Sequence, residues 1–283
     1  MALTSDFETF ERGWAKGENQ VVYTRLAADL DTPVSLMLKL AAVDTNSFML
    51  ESVTGGELRG RYSVVGLKPD LIWQCHGAQS RINRLVQRDA TAFEALADHP
   101  LQSLRDLIAE SKITLPDDLP PVAAGLFGYL GYDMIRLVEH LPNVNPDPLG
   151  LPDAILLRPS VVAVLDGVKG EVTIVAPAWV QAGQTAAMAY AGAKAAVQSA
   201  LFDLEAAPNA PSRDFGTAAP VGLMRSNFTH QAYLAAVEKA KDYIRAGDIF
   251  QVVPSQRWAQ DFAQPPFAFY RSLRRTNPSP FMF

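Results

Sequence analysis

The sequence predicts a protein of mixed helix and strand, its strands paired antiparallel, with a linker separating a long first part from a short second one. Three observations carry that expectation. Short apolar runs closed by glycine turns crowd residues 47–75 and 155–177. Stretches with helical spacing or high alanine content stand between and after them. The small-residue, proline-rich run "EAAPNAPSRDFGTAAPVG" then interrupts both patterns.

The elements follow in chain order. In "SFMLESV" the apolar run Phe48, Met49, Leu50 precedes the polar pair Glu51 and Ser52, and "TGGE" supplies a turn. "RYSVVGL" and "LIWQC" read as two further strands, the first closed by Gly66 and the Lys68 to Asp70 tripeptide, so an antiparallel meander is the economical reading. Ala92 to Lys112 reads as a surface helix with Pro100 in a first turn and Leu101, Leu104, Leu107 and Ile108 on one face. Glycines at 125, 128 and 131 each cost about 0.5 to 1 kcal/mol in a helix interior, so that stretch is expected as strand or tight turn, with helix from near Asp133. "ILLRPSVVAVLDGVKGEVTIVAP" gives two strands about Asp166-Gly167, and Ala186 to Leu204 a helix. After the linker, Thr229 caps a helix with Phe228 and Tyr233 as its hydrophobic staple, and Gly247 ends it. A buried-type strand is expected at Ile249 to Pro254, then a helix opened by Pro265-Pro266 and ended by Asn277-Pro278. The expected organisation is a domain over 1–205, a linker over 206–226 and the start of a second domain over 227–283. No internal repeat is obvious.

Composition narrows the function. A chain of 283 residues, 48% of them hydrophobic, can bury a sizeable core as two domains or one large one. With 25 basic and 30 acidic residues the net charge is −5, so neither a nucleic-acid nor an anionic-membrane partner has electrostatic support. The single Cys75, in "LIWQC", reads as a small buried hydrophobe. "MALTSDFETFERGWAKGENQ" is no signal peptide, and no run reaches the roughly 18 apolar residues of a membrane span, so the expected location is the cytoplasm.

Familiar chemical motifs are missing. His76, His99, His140 and His230 show no metal-ligand spacing, neither phosphate-loop pattern fits the glycines, and there is no GxSxG. Arg271, Arg274 and Arg275 are weighed as an anion site against a solvated helix face, with the solvated face preferred. Asp133 reads as a capping acid before a catalytic one.

Four stretches taken together say more. "FMLESVTGGELRGRYSVVGLKPDL", "GLFGYLGYDMIRLVEHLP", "AGDIFQVVPSQR" and "TNPSPFMF" resemble, in order and at suitable separations, the N-terminal half of the anthranilate synthase component I family of chorismate-utilising enzymes. The resemblance runs from about Phe7 to the last residue. It implies an α+β fold of packed antiparallel β-sheets enclosed by helices, with the C-terminal half absent. It also implies conversion of chorismate and ammonia to anthranilate and pyruvate, with Mg2+ as cofactor. The implied partner is a glutamine amidotransferase subunit, anthranilate synthase component II, and the implied inhibitor is L-tryptophan. In the family the catalytic residues and metal ligands lie in the C-terminal half, so none is placed on this chain, which is expected to be inactive and prone to aggregate alone. What does carry over is the tryptophan site: Ser52 from the "LES" motif and Pro280, Phe281 and Met282 from "NPSPFMF", with Glu51 and Asn277 as adjacent candidates. A proline ring, an aromatic and a thioether suit an indole, while a serine hydroxyl and Glu51 suit the amino-acid head. Arg61 and Tyr62 are further candidates to fold over the ligand. The alternatives are aminodeoxychorismate synthase component I, of the folate branch, and a non-catalytic tryptophan-binding module.

Overall fold

A computed structural model describes residues 3–41, 46–53, 60–142, 144, 146–206 and 222–283. In chain order the elements are α1 (Phe7–Trp14), β1 (Gln20–Ala27), α2 (Pro33–Leu40), β2 (Phe48–Ser52), β3 (Tyr62–His76), β4 (Gln79–Asn83), β5 (Glu94–Leu96) and α3 (Pro100–Glu110). They continue as β6 (Phe127–Leu130), β7 (Ala154–Asp166), β8 (Glu171–Ala178), α4 (Ala186–Glu205), β9 (Arg225–Ser226), α5 (His230–Ala246), β10 (Trp258–Ala259), α6 (Pro266–Thr276) and β11 (Phe281–Met282). Short 3-10 segments lie at Pro121–Ala123 and Tyr132–Leu137. The fold is α+β with an antiparallel sheet, as the sequence predicts.

The chain divides into two compact units: Met1–Ala210 with Arg274–Phe283, and Pro211–Leu273. The first is built on the long pair β3 and β7, which run side by side over almost their full lengths. One half of this spine joins β2 and β8, giving the order β1-β8-β7-β3-β2-β11; the other half joins β4 and β6. Apolar side chains fill both halves. Val64, Val162, Val164 and Val175 anchor one cluster, and Leu71, Trp73, Cys75 and Ile82 the other. The second unit holds α5 and the two-stranded pair β9 and β10.

Four sequence expectations change. "RYSVVGL" and "LIWQC" are one strand, β3, because β7 runs unbroken beside both; the expected break survives as a bulge between Pro69 and Leu71, with Lys68 at φ 48°. Pro69 stands opposite Pro159, and the ladder shifts register where neither residue has an N–H to give. On α3 the covered face is Pro100, Ser103 and Leu107, while Ile108 points to solvent. Ile249 to Pro254 is not a strand: no described strand lies beside it, and Phe250 is 93% exposed. Finally, the last ten residues, expected to belong with 227–283, group with the first unit. Of the expected linker, residues 207–221 lie outside the described set, and Arg225 and Ser226 form β9.

Two helices were not foreseen. α1 is capped by Asp6, whose carboxylate accepts from the Thr9 amide, and α2 by a reciprocal box between Thr32 and Ser35 ahead of Pro33 at its first turn. Gly128, at φ 157°, lies so close to β7 that a Cβ there would run into the Ile155 carbonyl, which explains one member of the glycine triplet.

Candidate functional site

The residues singled out in the sequence come together at the edge of the sheet. β11 pairs antiparallel with β2, placing Phe281 opposite Ser52 and Met282 opposite Glu51. The Val53 amide donates to the Pro280 carbonyl at 3.0 Å, extending the ladder by one step. On the other side of β2 the Ser52 amide donates to Ser63 Oγ at 3.2 Å, tying it to β3.

Antiparallel partners share a face and neighbours along a strand alternate, so the candidate set divides in two. Ser52 and Phe281 share the outer face; Ser52 is half-buried and Phe281 is 53% exposed. Glu51 and Met282 share the inner face, where Glu51 is only 1% exposed. Pro280 and Asn277 are exposed. The "TGGE" turn after Ser52 lies outside the described residues.

A buried carboxylate needs a cation or several donors. Arg274, in the last turn of α6, supplies the cation: its Nε donates to both Glu51 oxygens at 2.8 Å, and its Nη2 lies 2.7 Å from Oε1. This corrects one expectation: Arg274 is not part of a solvated helix face, because it chelates the Glu51 carboxylate. Sequence reading missed the pair because 223 positions separate its members. The available signal was an acidic residue in a strand otherwise bound for burial, followed much later by arginines beside the only stretch expected to meet it.

The other charged candidates are committed elsewhere. Arg61 holds the Asp166 carboxylate through Nε and Nη2 and stacks its guanidinium over Tyr62 at 5.0 Å, so it braces the β7–β8 turn instead of covering β2. Burial pushes the Asp166 carboxyl up, but hydrogen bonds from Arg61 and from the Lys169 and Val168 amides leave it below the usual range. Asp133 pairs with Arg136 and makes no side-chain cap. Burial pushes the Cys75 thiol up to about 11, which keeps it protonated and unreactive. His99 caps α3, its Nδ1 accepting from the Leu101 amide.

A second charged cluster is structural. Arg158, 4% exposed, donates to Asp70 and Glu110 and lies 4.6 Å over the Trp179 ring, while Arg84 grips Glu110 from outside. No group of three or more His, Cys, Asp or Glu side chains suited to a metal exists among the described residues. These described residues therefore do not fit a Mg2+ site. No helix among the described residues is long and apolar enough to cross a membrane.

Comparison with known proteins adds the family. Residues 48–283 match the family described as chorismate binding enzyme, a match that begins at the first residue of β2 and so includes most of the first unit. The chain is 75% identical over 279 residues to anthranilate synthase component 1 of Cereibacter sphaeroides, covering 99% of this chain and 56% of that protein. It is 38% identical over 257 residues to the Thermus thermophilus protein of the same name, covering 90% of this chain and 51% of the relative. The crystal structure of anthranilate synthase component I from Streptococcus pneumoniae TIGR4 superposes with a TM-score of 0.63 at 26% identity, over 82% of this chain and 49% of that one. The chain thus spans about half the length of the curated relatives it matches. It belongs to the chorismate binding enzyme family.

Proposed function

We propose that these residues are the N-terminal part of an anthranilate synthase component I. The observation that carries this is the 75% identity to a protein of that name across 99% of the chain. In this reading the whole protein is a cytoplasmic lyase. It converts chorismate and ammonia to anthranilate and pyruvate with Mg2+, and a glutamine amidotransferase subunit provides the ammonia. The resemblance places the family's catalytic residues and metal ligands in the C-terminal half, so the residues described here are expected not to turn chorismate over alone. The exposed apolar side chains of the second unit, Phe250, Val253 and Trp258 among them, fit a chain whose relatives have about as much length again to cover them.

Within that reading, the edge where β2 meets β11 is one wall of the site where L-tryptophan inhibits. Two of the stretches that carried the family resemblance stand side by side there, which supports the assignment. Ser52 and Phe281 meet the ligand, the hydroxyl at the amino-acid head and the ring beside the indole, with Pro280 and Asn277 next to them. Met282 packs behind the wall, and Glu51 serves the strand more than the ammonium.

Calorimetric titration of L-tryptophan into the intact protein that carries these residues tests the site. Binding that the Ser52→Arg variant abolishes is expected; unchanged affinity in that variant sinks the assignment. Supplying chorismate and ammonia to the intact protein tests the chemistry: anthranilate is the expected product, aminodeoxychorismate marks the folate branch, and tryptophan binding without turnover marks a binding module.

A further inference from the structure

β11 has two paired residues, too few to hold a register by ladder hydrogen bonds alone. Yet register decides everything at this edge. A slip by one residue would turn Phe281 inward and Met282 outward, and Ser52 would lose the aromatic ring facing it. Something outside the ladder must fix the alignment.

Arg274 and Glu51 are placed to do so. Glu51 is the residue of β2 directly opposite Met282, and its carboxylate is chelated by Arg274, seven positions before Phe281 in the chain. The segment from Arg274 to Phe283 is thereby anchored on β2 at both ends of a short tether, once by the ion pair and once by the strand. A buried ion pair adds little net stability, because desolvation offsets its Coulomb attraction; its best-attested use is to select one alignment over others. Removing Arg274 takes away the tie outside the ladder that links this segment to β2, and leaves β11 free to slide along β2 by one residue while β3 holds β2 in place.

We infer that Arg274 is a positioning residue for the L-tryptophan wall: through Glu51 it fixes the register in which Phe281 stands opposite Ser52. The inference rests on the tryptophan reading for its ligand but not for its geometry, and the experiment separates the two. Directly opposed residues of a pair without mutual ladder hydrogen bonds have their Cβ atoms within reach of a disulfide, and 52 with 281 is such a pair, since the ladder bond falls on 53 and 280. Cys75, the one cysteine of these 283 residues, is buried, and any cysteine elsewhere in the intact protein is replaced by serine so that the introduced thiols report alone.

The experiment sets Arg274→Met beside a double variant, Glu51→Met with Arg274→Met, in the intact protein. In the native background a Ser52→Cys, Phe281→Cys pair is expected to oxidise readily, and both Arg274 variants are expected to slow that oxidation at least tenfold. L-tryptophan affinity, measured with Ser52 and Phe281 intact, is expected to fall at least tenfold in both. The double variant keeps the test open where Arg274→Met alone does not fold, because it leaves no unpaired charge. Full cross-linking or native affinity in the double variant overturns the inference, reducing the pair to charge balance. If the native protein binds no L-tryptophan while the cross-linking differences hold, the tryptophan reading fails and the register role stands.

Discussion

The two units of this chain use the same local grammar to different ends. In the first, Trp73 is fully buried on β3, its indole N–H bonded to Ser103 Oγ, in the middle of an apolar cluster. In the second, α5 is well made, with the Thr229 hydroxyl accepting from the Ala232 amide and Gly247 in the left-handed region at its C-terminus, yet none of its residues is buried. None of the described residues from 222 to 273 is buried either. Caps and periodicity are written locally and form helices in both units; a core needs partners, and only the first unit has them among the described residues.

The sharpest way to break that contrast is to truncate one tryptophan in each unit. Trp73→Ala is expected to cost the first unit about 3 to 5 kcal/mol by thermal or urea unfolding, through lost burial and an orphaned Ser103 contact. Trp258→Ala, at a side chain 56% exposed, is expected to cost about 0.5 kcal/mol or less. Equal losses would mean that the second unit has a core of its own.

Arg158→Met comes next. It removes a buried guanidinium from Asp70 and Glu110, but both carboxylates are partly exposed and Glu110 keeps Arg84, so about 2 kcal/mol is expected by the same measurement. The cluster also sets an acid limit. Hydrogen bonds from Arg84, opposed by partial burial, hold the Glu110 carboxyl below its usual value. A depressed carboxylate contributes stability that is complete above the ordinary glutamate value and lost as pH falls through the lower folded one. Melting temperature should therefore decline below about pH 4.5, and Arg84→Met should flatten that decline.

Smaller effects sharpen the picture of the second unit. Thr229→Ala removes the cap of α5 and is expected to cost that helix about 1 kcal/mol, seen as faster amide exchange over its first turns with none in β3 or β7. At the low end, Cys75 in the native first unit should resist iodoacetamide at neutral pH, since its thiol is buried and protonated; rapid labelling would show that β3 opens freely.

Much of this architecture was legible because it is local. The Asp166-Gly167 turn, the alanine-rich α4 and the caps of α5 need only neighbours in sequence, and the structure has them where the pattern put them. What failed was non-local. Glycine and proline near residues 66 to 69 suggested a break that pairing with β7 overrides, and the strand-like Ile249 to Pro254 forms no strand, with a bend at Phe250 and no described neighbour. The candidate site divides the same way. Its members were named from two separate stretches, but that they meet, that they split between two faces, and that Arg274 neutralises Glu51 all depend on a pairing between positions more than two hundred residues apart.

Hydrogen exchange with and without L-tryptophan tests the central claim most directly, because it reports where the ligand acts. In the intact protein, L-tryptophan is expected to slow exchange over residues 50–53 and 281–283, the Val53 amide above all, and to leave α5 unchanged. Protection that appears elsewhere and spares the β2 and β11 edge would contradict the account.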